Sequence, residues 1–276
     1  MTNPPFQIKL WGVRGSLPVS GPAFRKFGGS TMCIEMRCGD HVLIFDAGSG
    51  ILPAGRALVA EGQRDLSLFF THCHYDHISG LPFFLPLYSA QSDIKVWSGH
   101  MAGKMTTLDM LTQFLRAPFF PIGLDVCSAR LNTADFQPGD VLTPHPGIVI
   151  RTALLAHTGN AVGYRVEWGG RAAAVITDTE HVPGTLDPGV LGLMDNADLV
   201  LYDSTFGDEE FEKYQGYGHS TWQQAVRLAK ASGTKKIGFI HHSIQRTDAE
   251  LTQIEKRAKG LFAGAFCGRE LQVIDV

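Results

Sequence analysis

One short stretch, Thr71–His77 (THCHYDH), constrains the fold more than any other because it follows the apolar run Leu66–Phe70. Such a run is typical of a buried strand, so the polar cluster is expected at the end of that strand. Side chains two residues apart on a strand point to the same side, so His72 and His74 can bind one ion together. The stretch therefore predicts a metal site at a sheet edge.

Two further ligand candidates, Asp76 and His77, follow in the same loop. Imidazole suits zinc and related transition metals, and a carboxylate adds negative charge. Four ligands from one loop cannot close around a single ion without strain, so the sequence favours two adjacent ions. The remaining isolated histidines are expected to be ordinary hydrogen-bonded loop residues: His41, His100, His145 and His181.

A site for two ions needs ligands from elsewhere in the chain. Three later residues are each the first strong ligand after an apolar strand: His157, Asp178 and His241. Residues in such positions lie at a sheet edge rather than within the core. Asp178 can bridge two ions because a carboxylate has two oxygens.

The length and composition of the chain favour one folding unit. The 276 residues are 44% hydrophobic, and no linker-like or low-complexity stretch divides them. A single domain is therefore expected over residues 1–276, with a hydrophobic insert around 78–125. The formal net charge of -3 argues against a broad surface for nucleic acid.

The cysteines and the hydropathy pattern indicate the cellular compartment in which the protein is expected. The five cysteines are odd in number and include no Cys-x-x-Cys pair, which argues against a disulfide framework. No run approaches the ~18 continuous apolar residues of a membrane span. A cytoplasmic protein without a membrane partner is therefore expected.

Strand-like segments dominate both halves of the chain, and each half ends in helices. The predicted helices are Ile51–Glu61, His100–Arg116, His219–Ser232 and Asp248–Phe262. Ser220 and Gln223 are predicted to form the capping box of the third helix. Two successive strand-rich halves indicate two packed sheets with helices outside them.

The pattern His72-x-His74-x-Asp76-His77, followed by the three later ligands, resembles the metallo-β-lactamase superfamily. The resemblance runs from the stretch 46–50 (DAGSG) to His241. It implies an α/β (α+β) four-layer αββα sandwich, the metallo-β-lactamase fold, with a dinuclear metal site at one edge of the sheets.

The resemblance also implies how the ligands divide between two divalent ions, with zinc expected first and manganese or iron as alternatives. One ion is held by His72, His74 and His157, and the other by Asp76, His77 and His241, with Asp178 bridging. His242 competes with His241 for the last position. The family ends a strand on this ligand, and Ile240 is the last apolar residue, so His241 is the prediction.

Two further stretches point to phosphodiesters. The run 217–221 (YGHST), followed by His241-x-Ser243, is similar to the end of ribonuclease Z. The opening 10–16 (LWGVRGS) with 28–31 (GGST) resembles bacterial cyclic-nucleotide-phosphodiesterase-like proteins. The resemblance therefore implies a phosphodiesterase acting on a small or cyclic nucleotide or a similar small-molecule phosphodiester.

One departure from ribonuclease Z concerns the segment between the histidine cluster and His157. Ribonuclease Z carries a long, basic, glycine-rich arm there, whereas this chain is apolar and rich in proline, as in 81–86 (LPFFLP) and 117–121 (APFFP). The apolar segment is expected to cover the pocket as a lid or to form the contact of a homodimer. On this ground tRNA is not expected as a partner.

The predicted mechanism uses a hydroxide bridging the two metals to attack phosphorus. Asp76 has a spare oxygen that can orient this nucleophile. His219 is expected to bind the phosphate or to protonate the leaving oxygen, and Asp203, by resemblance to ribonuclease Z, orients His219. Arg14 is a weaker candidate for binding phosphate.

Three other functions remain open from the sequence. The same hydroxide can hydrolyse a carboxylic ester, thioester, lactone or lactam. A di-iron redox enzyme and a non-catalytic metal-binding module are further alternatives. A role for His219 in turnover distinguishes the phosphodiesterase from the ester hydrolases.

Overall fold

Two seven-stranded sheets form the centre of the structure, a computed structural model that describes residues 5–118 and 120–276. Residues 1–4 and Phe119, which belong to the predicted domain and to its apolar segment, lie outside the described residues. Each sheet combines a parallel part with an antiparallel part.

The first sheet is built almost entirely from the first half of the chain. In spatial order its strands are β14 (Val273–Asp275), β1 (Phe6–Gly12), β2 (Cys33–Cys38), β3 (His41–Phe45), β4 (Asp65–Phe70), β5 (Asp93–Ser98) and β6 (Arg130–Asp135). Strands β3 to β6 are parallel, so their carboxyl ends meet at one edge. The last strand of the chain, β14, pairs with β1 and closes the other side.

The second sheet repeats this plan. In spatial order its strands are β13 (Ala265–Cys267), β12 (Lys236–Ile240), β11 (Leu199–Asp203), β10 (Arg171–Ile176), β9 (Ala161–Trp168), β8 (Val149–Leu155) and β7 (Val141–Leu142). Strands β10 to β13 are parallel, and β7 to β10 alternate in direction. The carboxyl ends of β8, β10, β11 and β12 therefore share one edge.

Helices cover the outer face of each sheet. The helices are α1 (Ile51–Ala60), α2 (Tyr75–Ile78), α3 (Thr107–Phe114), α4 (Pro188–Met194), α5 (Asp208–Phe211), α6 (Trp222–Ser232) and α7 (Asp248–Leu261). Helices α1 and α3 contact the first sheet, and α4, α6 and α7 contact the second. One apolar core lies between the sheets and one beneath each helical layer. The predicted αββα sandwich is confirmed.

Strand β4 shows why the apolar run before the histidine cluster is continuous. A parallel strand inside such a sandwich is covered on both faces, so both sets of alternating side chains are apolar. Phe69 packs between the sheets, whereas Leu68 and Phe70 pack beneath the outer helices. The polar cluster begins where this strand leaves the core.

The apolar segment 78–125 differs from its predicted arrangement. It supplies strand β5 to the middle of the parallel part of the first sheet and helix α3 to the outer layer. Leu81, Phe84 and Leu87 are buried in the outer core beneath α1, so they are core residues and do not cover the pocket. The predicted helix over His100–Arg116 is confined to Thr107–Phe114, which Thr106 caps.

Helix α6 begins later than the sequence indicates. Its N-cap is Thr221, whose side chain accepts a hydrogen bond from the Gln224 amide, and the predicted capping box of Ser220 and Gln223 is wrong. The Ser220 hydroxyl instead contacts His181 and Tyr202. Either of two adjacent hydroxyl residues can cap a helix. The Ser220 hydroxyl is engaged in buried contacts, so Thr221 caps α6.

Over the described residues, no helix combines the length and the apolar character that are needed to cross a membrane.

Candidate metal centre

The predicted ligands converge where the carboxyl ends of strands from both sheets meet. Their ligand atoms form two groups, and within each group they lie within 4.8 Å of one another. The first group is His72, His74 and His157, and the second is Asp76, His77, Asp178 and His241. The first sheet carries four of these side chains and the second sheet carries three, so the site lies between the sheets.

The three histidines of the first group face one another. Nε2 of His157 lies 3.1 Å from Nδ1 of His74. The rings of His72 and His157 are 4.9 Å apart and nearly perpendicular. Three imidazoles that present nitrogens to one point are typical of a zinc site.

The second group is organised around two carboxylates. Oδ2 of Asp76 lies 3.0 Å from Nε2 of His241 and 3.3 Å from Nε2 of His77. Asp178 lies between the groups: its Oδ1 is 3.7 Å from Nε2 of His157, and its Oδ2 is 3.2 Å from Nε2 of His77. Asp178 therefore has the position of a bridging ligand.

The buried polar atoms of this cluster fit bound cations. Among the described residues, Nε2 of His72 and Nε2 of His77 find no hydrogen-bond partner of acceptable geometry. Burial raises the pKa of Asp178, but the nearby His241 and His77 outweigh burial and hold that pKa well below its ordinary value. Buried imidazole nitrogens without partners, next to ionised carboxylates, are the donor set that divalent transition metals require.

Asp46 orients one of these rings, and the sequence analysis did not assign it a role. Nδ1 of His77 lies 2.8 Å from Oδ2 of Asp46, so an Nδ1–H donor leaves Nε2 to face the site. Thr71 donates to the same carboxylate from its backbone amide and from its hydroxyl. Asp46 follows an apolar strand directly, which is the signal that identified the other strand-end residues.

Two further contacts orient the histidines from the second sheet. Nδ1 of His241 lies 2.9 Å from the hydroxyl of Thr205, which donates in turn to Asp203 at 2.7 Å. Nδ1 of His157 donates to the carbonyl of Gly218 at 2.7 Å. Thr205 and Gly218 were also missed, because neither residue type indicates such a contact in sequence.

Three strand-end residues adopt the left-handed backbone conformation, with φ of 62° at Asp46, 57° at Asp178 and 58° at His241. This conformation is uncommon for residues other than glycine and is enriched at functional sites. It turns the chain sharply just after each strand, where the residues of the site lie.

Two glycines allow the backbone to approach the cluster closely. A Cβ at Gly15 would lie 2.1 Å from the ring of His241, and a Cβ at Gly218 would lie 2.2 Å from the ring of His157. Gly218 also has a φ of 81°. Larger residues at these positions would displace the two rings.

His219 and Asp203 form a pair beside the cluster. Nδ1 of His219 lies 3.0 Å from Oδ2 of Asp203, and the imidazole stacks on His241 at 4.7 Å. Burial lowers the pKa of His219, but the charge and hydrogen bond of Asp203 outweigh it and raise the pKa to about 9. His219 lines a cavity of about 430 Å³ together with Ser16, Tyr75, Asp76 and Asp178.

Arg14 does not have the predicted role. Its side chain is fully buried, and it donates to the backbone carbonyls of Gly28, Ser243 and Arg246. A guanidinium that donates to three carbonyls holds separate loops of the protein together. The predicted role of Arg14 in binding phosphate is therefore corrected to a structural one. His242 lies outside both ligand groups, and its Nε2 contacts the carbonyl of Gly268.

Comparison with known protein families identifies the superfamily to which the chain belongs. The family described as beta-lactamase superfamily domain matches residues 41–242, a range that holds all seven predicted ligands. The chain belongs to the β-lactamase superfamily. As a member of this superfamily it is a metal-dependent hydrolase, as the sequence analysis predicted.

Curated relatives place the chain within the superfamily. It is 24% identical over 277 residues to ribonuclease Z of Lacticaseibacillus casei, covering 86% of each chain. It is 26% identical over 282 residues to ribonuclease Z of Pediococcus pentosaceus, covering 86% of this chain and 89% of the relative. The predicted ribonuclease Z-like branch of this superfamily is confirmed.

Solved structures share the fold over nearly the whole chain. The metallo-β-lactamase fold protein YhfI of Bacillus subtilis gives a TM-score of 0.75 at 18% identity, covering 99% of this chain and 100% of that one. The short form of human tRNase Z gives 0.68 at 19% identity, covering 97% and 98%. A diphosphatase of the PhnP family gives 0.71 at 17% identity, covering 98% of each chain.

These comparisons correct the expectation about tRNA. From the sequence, tRNA is not expected as a partner, because an apolar segment stands where ribonuclease Z has a basic arm. That expectation is wrong, since the curated relatives are named ribonuclease Z and the structural neighbours include tRNase Z. Leu81 and Phe84 of that apolar segment are buried in the core beneath α1, so their apolar character reflects packing and carries no information about the substrate.

Proposed function

We propose that this member of the β-lactamase superfamily is a phosphodiesterase with a dinuclear metal site. The observation that carries the proposal is the pair His219–Asp203, in which Asp203 is buried and His219 lines the cavity beside the ligand cluster. Hydrolysis of a phosphodiester requires both stabilisation of phosphoryl charge and a proton for the leaving oxygen, and this cavity holds groups for each.

The ligand cluster would hold two divalent ions, with zinc proposed first and manganese or iron as alternatives. One ion would be held by His72, His74 and His157, and the other ion by Asp76, His77 and His241. Asp178 would contact both ions. Bound ions of this kind supply Lewis acidity, which activates water near neutral pH and offsets charge on the phosphoryl group. Asp76 borders the cavity and also accepts a hydrogen bond from the Ser16 amide at 2.7 Å, which fixes its carboxylate.

His219 would act as the general acid. Asp203 accepts a hydrogen bond from Nδ1 of His219, so Nε2 is the atom that can carry a proton to the leaving oxygen. Asp203 also accepts hydrogen bonds from the amide and the hydroxyl of Thr205. These bonds hold the carboxylate in place and keep the imidazole in one orientation.

The relatives suggest the substrates to examine. Ribonuclease Z and tRNase Z are named for RNA and tRNA, so tRNA is the first candidate substrate for this chain. Small and cyclic nucleotides are the second class, in accord with the opening sequence motifs. Both classes require the same in-line displacement at phosphorus.

The test is an assay of the zinc-loaded protein with four substrates: tRNA, cyclic nucleotides, bis(p-nitrophenyl) phosphate and a p-nitrophenyl ester. We expect phosphodiester turnover that His219→Ala lowers by roughly 10²- to 10⁴-fold without loss of metal. His41→Ala, which changes a histidine remote from the ligand groups, is the control. Ester turnover without phosphodiester turnover would overturn the proposal, as would an unchanged rate in His219→Ala.

A further inference from the structure

The segment that precedes helix α6 carries two contacts of the site on neighbouring residues. The Gly218 carbonyl accepts the hydrogen bond from Nδ1 of His157, and His219 is the next residue. Gly216 and Gly218 both have positive φ, 87° and 81°, so the backbone here is not held by a helix or a strand. Some other interaction must fix this segment if both histidines are to be in place.

Glu180 supplies that interaction. Its Oε2 accepts hydrogen bonds from the amides of Gly216 and Gly218 at 2.9 and 2.7 Å, and its Oε1 lies 2.8 Å from the Gly216 amide. The backbone amide of Glu180 donates to the carbonyl of Ala156 at 2.7 Å. One residue therefore joins the segment 216–219 to the residue that precedes His157.

Glu180 is itself fixed by its place in the chain. It follows Asp178 by two residues, in the loop after β10, which ends at Ile176. The hydrogen bond to Ala156 holds this loop beside the end of β8, and the carboxylate in turn holds the glycine segment. Hydrogen bonds from amides to an ionised carboxylate are about twice as strong as neutral ones, which suits them to holding a segment without regular structure.

We propose that Glu180 is a positioning residue for two functional side chains. Through Gly218 it sets the orientation of the His157 ring, which is a metal ligand in the proposed site. Through the same peptide segment it sets the position of His219, and this second effect rests on the proposed function.

The experiment compares Glu180→Ala and Glu180→Gln with Glu212→Ala. Glu212 is an exposed carboxylate on the segment just before Gly216, so its removal changes the charge equally. A glutamine keeps one acceptor oxygen but turns an NH₂ group towards the amide donors, so its effect should be intermediate. Thermal unfolding of each variant first establishes that it is folded.

Two readouts need no substrate. Hydrogen exchange of the Gly216 and Gly218 amides should accelerate at least tenfold in Glu180→Ala and remain unchanged in Glu212→Ala. Zinc affinity, measured by competition with a chromophoric chelator, should fall by roughly 10- to 100-fold in Glu180→Ala. The third readout is kcat, which should fall with little change in KM because His219 is displaced.

The outcomes separate the proposals. If zinc affinity in Glu180→Ala stays within twofold of the control, Glu180 only tethers a surface segment and the inference is overturned, whatever the exchange rates. If Glu180→Ala does not fold, Glu180→Gln is measured by the same criteria. If exchange and zinc affinity respond as expected but no phosphodiester is cleaved by the unaltered protein, the proposed function fails and the role of Glu180 towards His157 stands.

Discussion

Asp46 shows how a residue that binds no ion can set the geometry of the site. Its carboxylate receives hydrogen bonds from Thr71 and His77, and it is fully buried apart from about 1% of its surface. The acceptor oxygens therefore cannot be replaced by water. Nδ1 of His77 lies 2.8 Å from this carboxylate and 3.5 Å from the Thr71 hydroxyl, so Asp46 is the nearer partner that orients the ring.

We expect Asp46→Asn to weaken zinc binding by roughly 10- to 100-fold, because an amide offers one acceptor where the carboxylate offers two. Competition with a chromophoric chelator measures the affinity. Asp65→Asn, which changes an exposed carboxylate at the opposite end of the adjacent strand, should bind zinc like the unaltered protein. Equal affinities in the two variants would show that His77 is oriented without Asp46.

At the scale of elements, helix α7 is joined to the second sheet by a charged cluster. Glu255 is buried, and its oxygens lie 2.9 Å from Nζ of Lys259 and 2.7 Å from Nη2 of Arg269. Burial raises the pKa of Glu255, but the hydrogen bonds of Lys259 and Arg269 outweigh it, so the pKa lies below its ordinary value. The ionised carboxylate is thus favoured in the folded protein.

A group whose pKa is lowered on folding stabilises the protein above its unfolded pKa, about 4.3 for glutamate. This contribution to stability is lost as the pH falls from the unfolded pKa through the lower pKa that the carboxyl group has in the folded protein. We expect Glu255→Gln to lower the free energy of unfolding by about 1 kcal/mol at pH 7, and the difference to disappear in acid below the folded pKa. Urea unfolding at a series of pH values measures it; a difference independent of pH would contradict the argument.

The start of helix α7 offers a second element-scale prediction. Thr247 caps the helix, and the Glu250 carboxylate accepts a hydrogen bond from the Thr247 amide at 2.8 Å. Thr247→Ala should lower the free energy of unfolding by about 1 kcal/mol, because the Glu250 amide in the first turn loses its hydrogen-bond acceptor. Thr247→Ser keeps the hydroxyl and should be close to neutral in urea unfolding. A loss of equal size in both variants would assign the effect to the methyl group.

At the scale of the whole molecule, the ligand cluster connects the two sheets. His72, His74, Asp76 and His77 follow β4, whereas His157, Asp178 and His241 belong to the second sheet. Ions held by both sets would oppose the separation of the sheets. Binding to the folded state alone stabilises it by about 2.7 kcal/mol for each ion at roughly 100 times its Kd.

Removal of metal with a chelator should therefore lower the Tm, and added zinc should restore it. Differential scanning calorimetry of the stripped and reloaded protein measures the shift. His74→Ala removes one exposed ligand, so its Tm should respond less to the chelator. If stripped and reloaded protein unfold at the same temperature, the cluster does not hold metal in a way that supports the fold.

The sequence predicted those features that depend on short-range pattern. His72, His157 and Asp178 each closely follow an apolar run, and the end of a buried strand is where a polar side chain can emerge, so the local pattern predicts all three. Strands β11 and β12 are buried along almost their whole length, so each is a short apolar run that is visible in the local sequence.

Other features depend on contacts between distant segments. Strand β6 is polar and half-exposed, so its apolar pattern is weak and it was missed. Arg14 looks like a loop residue in sequence, and its burial follows from carbonyls that lie more than 220 residues away. The apolar segment 78–125 was read as a cover because its partners in the core beneath α1 are not neighbours in sequence.

The left-handed corners at Asp46, Asp178 and His241 also limit how this site can vary in evolution. Aspartate, asparagine and histidine tolerate that backbone better than most residues, and β-branched side chains are poorly suited to it. The residue types that the backbone accepts here are largely those that bind metals or orient their ligands. Exchange of one metal for another by substitution at these corners can therefore proceed without rebuilding the sheets, whereas replacement of the metal site by an apolar pocket would also require new turns.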